Sequence, residues 1–429
     1  MITKPKGTYD VLPCESVKWQ KLEDAIRKIC ALYNYKEIRT PIFESSNVYH
    51  RDENDTSDMV TKETYDFKDR SDRQITLRPE GTAGVARAYI ENKLYVDNIT
   101  TKLFYMGPMF RYERPQKGRN RQFNQFGVEA LGSSDPLIDV EVISLGASLI
   151  RALGLKNIKV KINSLGDKES RDNYREVLVK YFENYKNDLC PDCLERLEKN
   201  PLRILDCKVD HDKEFFKTAP KINQYLNEES KNRFNEVING LDSINLQYVI
   251  DDNLVRGLDY YCHTVFELEA DIPSFGAQNV IGAGGRYDSL ISDLGGPKTA
   301  GVGMAFGMER LLLATDEAGK DLSKMPGLHA YFIALGDDAM KAVNKIMTLL
   351  RTNGLCCDCD YLRSSLKSQF KKADLNNSIF TLILGDNELK DGKINIKNNL
   401  TDEQETIDIE AVYPYIYEKI IEINKKNKR

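Results

Sequence analysis

Three strand-like runs stand in the first third of the chain, at Gln74–Leu77, residues 102–109 and Gln122–Leu131. Loops rather than regular helices separate them. The sheet they build is therefore predicted to be mainly antiparallel, in an α+β domain without regular crossover helices. Ahead of them, Trp19, Leu22, Ile26, Ile29 and Tyr33 step by 3, 4, 3 and 4 residues, which is one face of a helix. The pattern stops at Asn34 and the strand-like YKEIRTPIFE follows, with Pro41 marking a sheet edge or a bend. Residues 141–153 predict a second helix with Val142, Leu145, Ala147, Leu149 and Ile150 as its apolar positions.

Between residues 167 and 241 the chain is rich in Lys, Glu, Asn and Tyr and has no strand pattern. It is expected to be a helical insertion, dividing a catalytic domain into residues 1–166 and 242–318. Strand signals return at residues 246–250 and 264–269. A Gly-rich stretch, GAGGRYD, precedes GVGMAFGMERLLL, a strand passing into a helix. After a linker near residues 315–327, strands at 330–335, 378–384 and 393–397 and a helix at 339–350 predict a small α/β domain spanning 328–429.

Apolar residues form 41% of the 429-residue chain, enough for sizeable cores, and no apolar run is long enough to span a membrane. MITKPKGTYD has no apolar stretch behind its lysines, so a cytosolic protein is expected. A net charge of −5 argues against a protein coated in positive charge, but it permits local basic surfaces that meet nucleic acid. One such surface is RYERPQKGRNR, with five basic residues and one acid, Glu113. The tail KKNKR is read as a solvated, frayed end.

The sequence has no GxxxxGK[ST] loop, no HExxH and no GxSxG, so bound phosphate would rely on arginine. Arg111 begins the basic loop where a strand can hold it. Phe123 could stack on a base. Gln125 and Glu129, four apart on a strand, share a face. Arg256 stands in LVRGLDYYCHTVFE beside Asp259 and paired tyrosines, and Arg310 opens the helix after the Gly-rich strand. Each has an ordinary structural explanation when read alone: a basic hairpin, an aromatic core with a paired arginine, a surface helix charge.

Together they resemble the class II aminoacyl-tRNA synthetases, and within them the histidine-specific family. The resemblance runs from GTYDVLP to the C-terminal domain. It is carried by LRPEGT, the FRYE…FGVE pair, LVRGLDYY, AGGRYD and GVGMAFGMERL. It implies activation of L-histidine by ATP, with Mg2+ accompanying the nucleotide, and transfer of the histidyl group to tRNA(His). By resemblance, Arg111 and Arg256 flank the α-phosphate as the catalytic pair. Arg310 holds the γ-phosphate, Phe123 stacks on adenine, and Glu113 belongs to the ATP site. Glu80, Thr82 and Gln125 would take the histidine ammonium. Glu129 and Tyr261 would take the imidazole, with Gly81 and Tyr260 lining the pocket. Arg114 and Gln116 would meet the tRNA acceptor end. The C-terminal domain resembles an anticodon-binding fold, and with 15 basic and 15 acidic residues over 328–429 it should recognise RNA locally. The resemblance also implies a homodimer built through residues 19–44, and no editing domain. The regulatory subunit of ATP phosphoribosyltransferase resembles the same catalytic domain but lacks the anticodon domain.

Nine cysteines, several isolated, are expected to be free thiols in a reducing compartment. Cys190-x2-Cys193-x13-Cys207-x3-His211 has the spacing of a Cys3His zinc site, but a CxxC pair without a second pair is a weak signal, and two thiol-bearing turns around a helix without metal are the expected reading. The resemblance does not require a metal there. Cys356, Cys357 and Cys359 are read as free thiols.

Overall fold

The computed structural model describes all residues except 52–57, 98, 117, 157, 208, 211, 256–259, 271–279, 324, 326 and 428–429. The chain forms two compact units, Met1–Ser323 and Lys324–Arg429. The sequence predictions for Arg256, Asp259 and His211 fall outside the described residues.

An eight-stranded sheet organises the first unit. Its centre is antiparallel throughout. Gln122–Leu131 pairs with Thr101–Phe110 on one side and Gly301–Gly307 on the other. Val280–Tyr287, Cys262–Glu269 and Lys159–Ser164 follow in order, each antiparallel to the last. Parallel pairs occur only at the two edges, formed by Lys36–Glu37 and Tyr248–Ile250. Pro41 divides YKEIRTPIFE as a bend would. The part before it joins the large sheet, and Phe43–Ser45 joins a separate three-stranded sheet with Gln74–Leu77 and Tyr65–Lys68.

Strand alternation gives the large sheet two different faces. Phe126, Val128, Ala130, Val302, Met304 and Phe306 point into a core shared with Leu22, Ile26 and Cys30 of helix Pro13–Leu32. Val142, Leu145 and Leu149 of helix Pro136–Ala152 pack in the same core. The helix pattern read from Trp19 to Tyr33 is the buried side of that first helix. The opposite face carries Leu103, Tyr105, Tyr261, Val265 and Tyr287. Residues 167–241 lie within the first unit as helices Lys168–Glu183, Pro191–Lys199, Glu214–Lys217 and Glu228–Ser243 with intervening 3-10 turns. Asp167 and Asn227 cap the two long helices through side-chain bonds to Ser170 N and Ser230 N.

The second unit is a five-stranded sheet in which Ala330–Leu335 lies between parallel neighbours Cys357–Cys359 and Phe380–Gly385. Lys393–Asn398 and Gln404–Asp408 extend it antiparallel. Helix Asp337–Thr352 packs Val343, Met347 and Leu350 against this sheet. The first three residues of the basic tail, 425–427, belong to helix Val412–Asn427, and the last two fall outside the described residues. Among the described residues, no helix is long and apolar enough to cross a membrane.

Candidate active site

The central strand pair forms the base of the site. On Gln122–Leu131, the face that carries Phe123, Gln125, Gly127 and Glu129 lies opposite the helix-covered core. Glu129 is wholly buried. Its carboxylate accepts a hydrogen bond from Thr82 Oγ1 at 2.7 Å and another from the Tyr287 hydroxyl. Burial pushes its carboxyl up to about 8. The hydrogen bonds offset part of that rise, and the nearby Glu80 charge adds to it. Space for the carboxylate comes from Gly303 on the neighbouring strand, where a Cβ would sit 1.8 Å from Glu129 Oε2.

The buried Tyr105 ring fills the space over Gly127 and Gly81. A Cβ at either glycine would come 2.3 Å or 2.2 Å from that ring. Gly81 leads into helix Thr82–Glu91, whose first N–H groups have no partner within the helix. Glu80 supplies one, accepting from Thr82 N at 2.5 Å and Ala83 N at 2.8 Å. Arg78, two residues earlier, binds three backbone carbonyls, Pro108 O at 2.8 Å, Thr40 O at 3.0 Å and Pro41 O at 3.4 Å. LRPEGT thus braces the strand bend on one side and starts the helix on the other.

Tyr260 and Tyr261 pack against each other with ring centroids 4.8 Å apart and planes tilted by 51°, and Tyr260 meets Tyr287 edge-on at 5.6 Å. Arg171 of the 167–241 segment donates to the Tyr261 carbonyl at 2.6 Å. Within AGGRYD, a Cβ on Gly285 would lie 2.8 Å from the Tyr261 ring. Arg286 is wholly buried. It donates to Asp139, itself wholly buried, through Nε at 3.0 Å and Nη2 at 2.5 Å. Thr264 donates to the same carboxylate at 2.8 Å. Arg286 thereby pins the strand whose next residue, Tyr287, reaches Glu129.

Around the basic loop, Arg111 Nε donates to the Pro79 carbonyl at 2.9 Å, and its guanidinium lies 5.3 Å from the Phe123 ring centroid. Arg310 Nε donates to Val280 O at 3.1 Å; burial, then the Arg119 charge, hold it below the usual arginine range. Glu113 pairs with Arg119 at 3.7 Å. Arg114 and Gln116 are exposed, and Gln116 exchanges backbone hydrogen bonds with Arg119 at the loop tip. Glu309, beside Arg310, is half-buried and accepts from Tyr9 at 2.7 Å and Asn124 N at 2.8 Å. That ties the N-terminal GTYD segment to the strand and helix that carry Gln125 and Arg310.

The structure brings Glu80, Thr82, Glu129 and the two tyrosines together through these contacts. Gln125 lies on the same strand face, and its buried side-chain oxygen has no hydrogen-bond partner among the described residues. Arg111 stands beside Phe123, and Arg310 beside Arg119. Reading the sequence did not single out Tyr287, Tyr105, Arg78, Arg286, Tyr9 or Glu309, although Tyr287 and Arg286 stand inside the quoted AGGRYD. In the 167–241 segment, Cys190, Cys193 and Cys207 converge with Asp210 rather than with any described histidine.

Residues 7–311 match the family model described as Histidyl-tRNA synthetase, and residues 329–419 match the one described as Anticodon binding domain. The chain belongs to the histidyl-tRNA synthetase family. A Staphylococcus aureus protein named Histidine--tRNA ligase is 50% identical over 417 residues, covering 97% of this chain and 99% of that protein. The crystal structure of apo S. aureus histidyl-tRNA synthetase superposes with a TM-score of 0.83 at 44% identity, covering 97% of this chain and 100% of the other. The histidyl-tRNA synthetase from Nostoc sp. PCC 7120 shares the fold, with a TM-score of 0.66 at 21% identity, over 98% of this chain and 100% of that one. The mainly antiparallel catalytic sheet and the C-terminal α/β domain expected from the sequence are those of this family.

Proposed function

We infer that this chain activates L-histidine with ATP, giving histidyl-adenylate and pyrophosphate, and transfers the histidyl group to the 3′ end of tRNA(His). Family membership over nearly the whole chain supports this reading. The geometric observation that carries it is the buried Glu129 carboxyl, gripped by Thr82 and Tyr287 beside the Tyr260–Tyr261 pair. A carboxyl poised near 8 can accept from an imidazole N–H or donate to the bare ring nitrogen. Tyr261 serves the other nitrogen. An apolar side chain of similar size would leave these groups unpaired, so selection needs no editing step.

Glu80, Thr82 and Gln125 take the ammonium group, with Gly81 and Tyr260 lining the pocket. Glu80 keeps lone pairs for this after capping the helix, and the Gln125 oxygen is unpartnered. The histidine carboxylate oxygen then attacks the α-phosphorus of ATP, and the bond to the departing pyrophosphate breaks. Arg111, braced by Pro79 O, stabilises the charge that spreads over the phosphoryl oxygens without reorganising. Arg256 takes the opposite side. Arg310 holds the γ-phosphate, Phe123 stacks on adenine, and Glu113 orders Arg119 nearby. ATP enters with Mg2+, which screens the β and γ phosphates. In the second step a terminal ribose hydroxyl attacks the adenylate carbonyl and AMP leaves. Exposed Arg114 and Gln116 meet the acceptor end, and residues 328–429 meet the anticodon.

Residues 1–166 with 242–318 are the catalytic domain, and 167–241 are an insertion joined to it through Arg171. Exposed Ile42 and Phe43, beside Pro41, support a homodimer through residues 19–44. The match of residues 329–419 to an anticodon-binding domain disfavours a purely regulatory relative without synthetase activity. The test is histidine-dependent ATP–pyrophosphate exchange. Arg256→Ala should lower it about 100-fold or more, the scale of a lost transition-state donor. Near-normal exchange by that variant would remove Arg256 from the mechanism, and absence of exchange in the unaltered chain would remove the function.

A further inference from the structure

The 167–241 segment contains a cluster that histidine activation does not use. Cys190 caps helix Pro191–Lys199 and Cys193 lies in its first turn. Cys207 follows the Pro201–Asp206 turn, and Asp210 closes the loop after it. One ligand atom from each lies within 4.8 Å of every other. Cys193, Cys207 and Asp210 are buried. We propose that Cys190, Cys193, Cys207 and Asp210 form a structural zinc site.

Three observations carry the assignment. First, the Cys190 and Cys207 sulfurs are 3.7 Å apart, far longer than a disulfide. Two thiolates on a tetrahedral zinc, each about 2.3 Å from the metal, stand about 3.8 Å apart. Second, two backbone N–H groups aim at one sulfur. Val209 N and Asp210 N donate to Cys207 Sγ at 3.4 Å and 3.3 Å. Paired donors favour a thiolate acceptor, the form that binds metal. Third, Asp210 is already oriented. Its Oδ2 accepts from Cys190 N at 2.9 Å, which fixes it to the turn that presents Cys190 and Cys193.

The donor set selects the metal. Three thiolates and one carboxylate suit zinc, and four protein ligands leave no open position, which makes the site structural. Zinc with these ligands keeps two excess negative charges, and Lys213, 2.8 Å from Asp210 Oδ1, offsets one of them. On binding, the three thiol protons pass to solvent and no redox change occurs. His211, the fourth ligand that the spacing suggests, lies outside the described residues; the described group that converges with the three thiols is Asp210. A second group, Cys262, His263 and Asp288, is equally compact but is not proposed. Arg286 already donates to Asp288 at 3.2 Å, and the Arg233 and Arg286 charges oppose a further cation.

The site would tie helix Pro191–Lys199 to the Cys207–Asp210 loop. The full-length chain, purified under reducing conditions without chelator, should contain about one zinc by mass spectrometric metal analysis. Cobalt in its place should give thiolate-to-cobalt charge-transfer and tetrahedral d–d bands. Cys193→Ser and Asp210→Asn should lose most of the zinc, while Cys14→Ser, at an exposed thiol, should keep it. Because a ligand variant can fail to fold, the unaltered protein is also titrated with an organomercurial beside a chromogenic chelator. Zinc should then appear as the cluster thiols react. Two results would each overturn the proposal. One is a reduced full-length chain that still holds less than roughly a tenth of an equivalent after incubation with Zn2+ and gel filtration. The other is zinc retained after these thiols are modified.

Discussion

Gly303→Ala tests whether the Glu129 carboxylate position matters for histidine activation. The added Cβ would lie 1.8 Å from Glu129 Oε2 and 2.8 Å from the Val128 carbonyl oxygen. Contacts to a real Cβ are essentially never under 3.0 Å, so the carboxylate must move by at least 1.2 Å, the difference between 3.0 and 1.8. Both of its oxygens are committed, one to Thr82 at 2.7 Å and one to Tyr287. A shift of that size breaks at least one bond and displaces the group proposed to hold the imidazole. Misplacing a positioning group by about 1 Å costs about 100-fold in rate. Overpacking should also cost about 1–3 kcal/mol of stability. The assay is histidine-dependent ATP–pyrophosphate exchange with each substrate varied. The expected result is kcat/KM for histidine down about 100-fold, with KM for ATP within roughly threefold of normal. Gly84→Ala is the control. It lies in the adjoining helix Thr82–Glu91, and its Cβ would meet nothing closer than 3.4 Å. Gly303→Ala with kcat/KM for histidine within about twofold of the parent would refute the reasoning.

Other perturbations follow from the same geometry. Glu129→Gln should lower kcat/KM for histidine at least about 100-fold, as loss of a group paired with the substrate does. It should also change how stability depends on pH. The folded carboxyl, at about 8, lies above its ordinary 4.5, so its contribution is full below about 4.5 and is lost as pH rises through 8. Glutamine does not titrate, so the thermal midpoint of the ligand-free variant should gain on the parent between pH 5 and pH 9. A gap that stays constant with pH would count against a buried, neutral-leaning Glu129. Asp139→Asn removes the closer of the two carboxylate partners of the wholly buried Arg286 and should cost about 3–5 kcal/mol in denaturant unfolding. A cost under about 1 kcal/mol would mean that Asp288 and the Ser133 carbonyl suffice. Glu80→Ala uncaps helix Thr82–Glu91 and should cost about 1–2 kcal/mol as well as raising KM for histidine. Lost stability with unchanged KM would assign Glu80 to the helix alone.

What the sequence made legible was whatever depends on local pattern. The first helix, the Gln122–Leu131 strand and the strand-to-helix passage at residues 301–313 follow from apolar spacing, and the structure has them there. Side-chain alternation alone placed Gln125 and Glu129 on one face. The sequence did not show that GAGGRY lies within a central strand, Val280–Tyr287. Glycine lowers strand propensity, so such a stretch carries little strand signal. Here the glycines answer to neighbours distant in sequence. A Cβ on Gly282 would strike the Phe306 ring at 2.3 Å, and one on Gly284 the Gly303 carbonyl at 2.2 Å.

The same reason explains why Tyr287 and Arg286 escaped notice while Glu129 did not. Glu129 is conspicuous as an acid inside an apolar strand. Tyr287 and Arg286 have meaning only through partners 158 and 147 residues away. Glycine at position 303 makes room for the carboxylate, Tyr287 holds it, and the Arg286–Asp139 pair fixes the strand that carries Tyr287. The first link joins strands that adjoin in the sheet, the second reaches across the Gly301–Gly307 strand that separates Tyr287 from Glu129, and the third joins the sheet to the helix behind it. The chemistry proposed for Glu129 therefore depends on register: sliding Val280–Tyr287 by one residue against Gly301–Gly307 would turn Tyr287 to the other face and bring Arg286 onto the site. Removing Asp139 costs stability because it breaks the buried pair from one side. Well below its unfolding midpoint the Asp139→Asn protein is still folded, and there loss of the pair should appear as impaired histidine activation. Normal exchange in that folded variant would show that strand pairing alone sets the register.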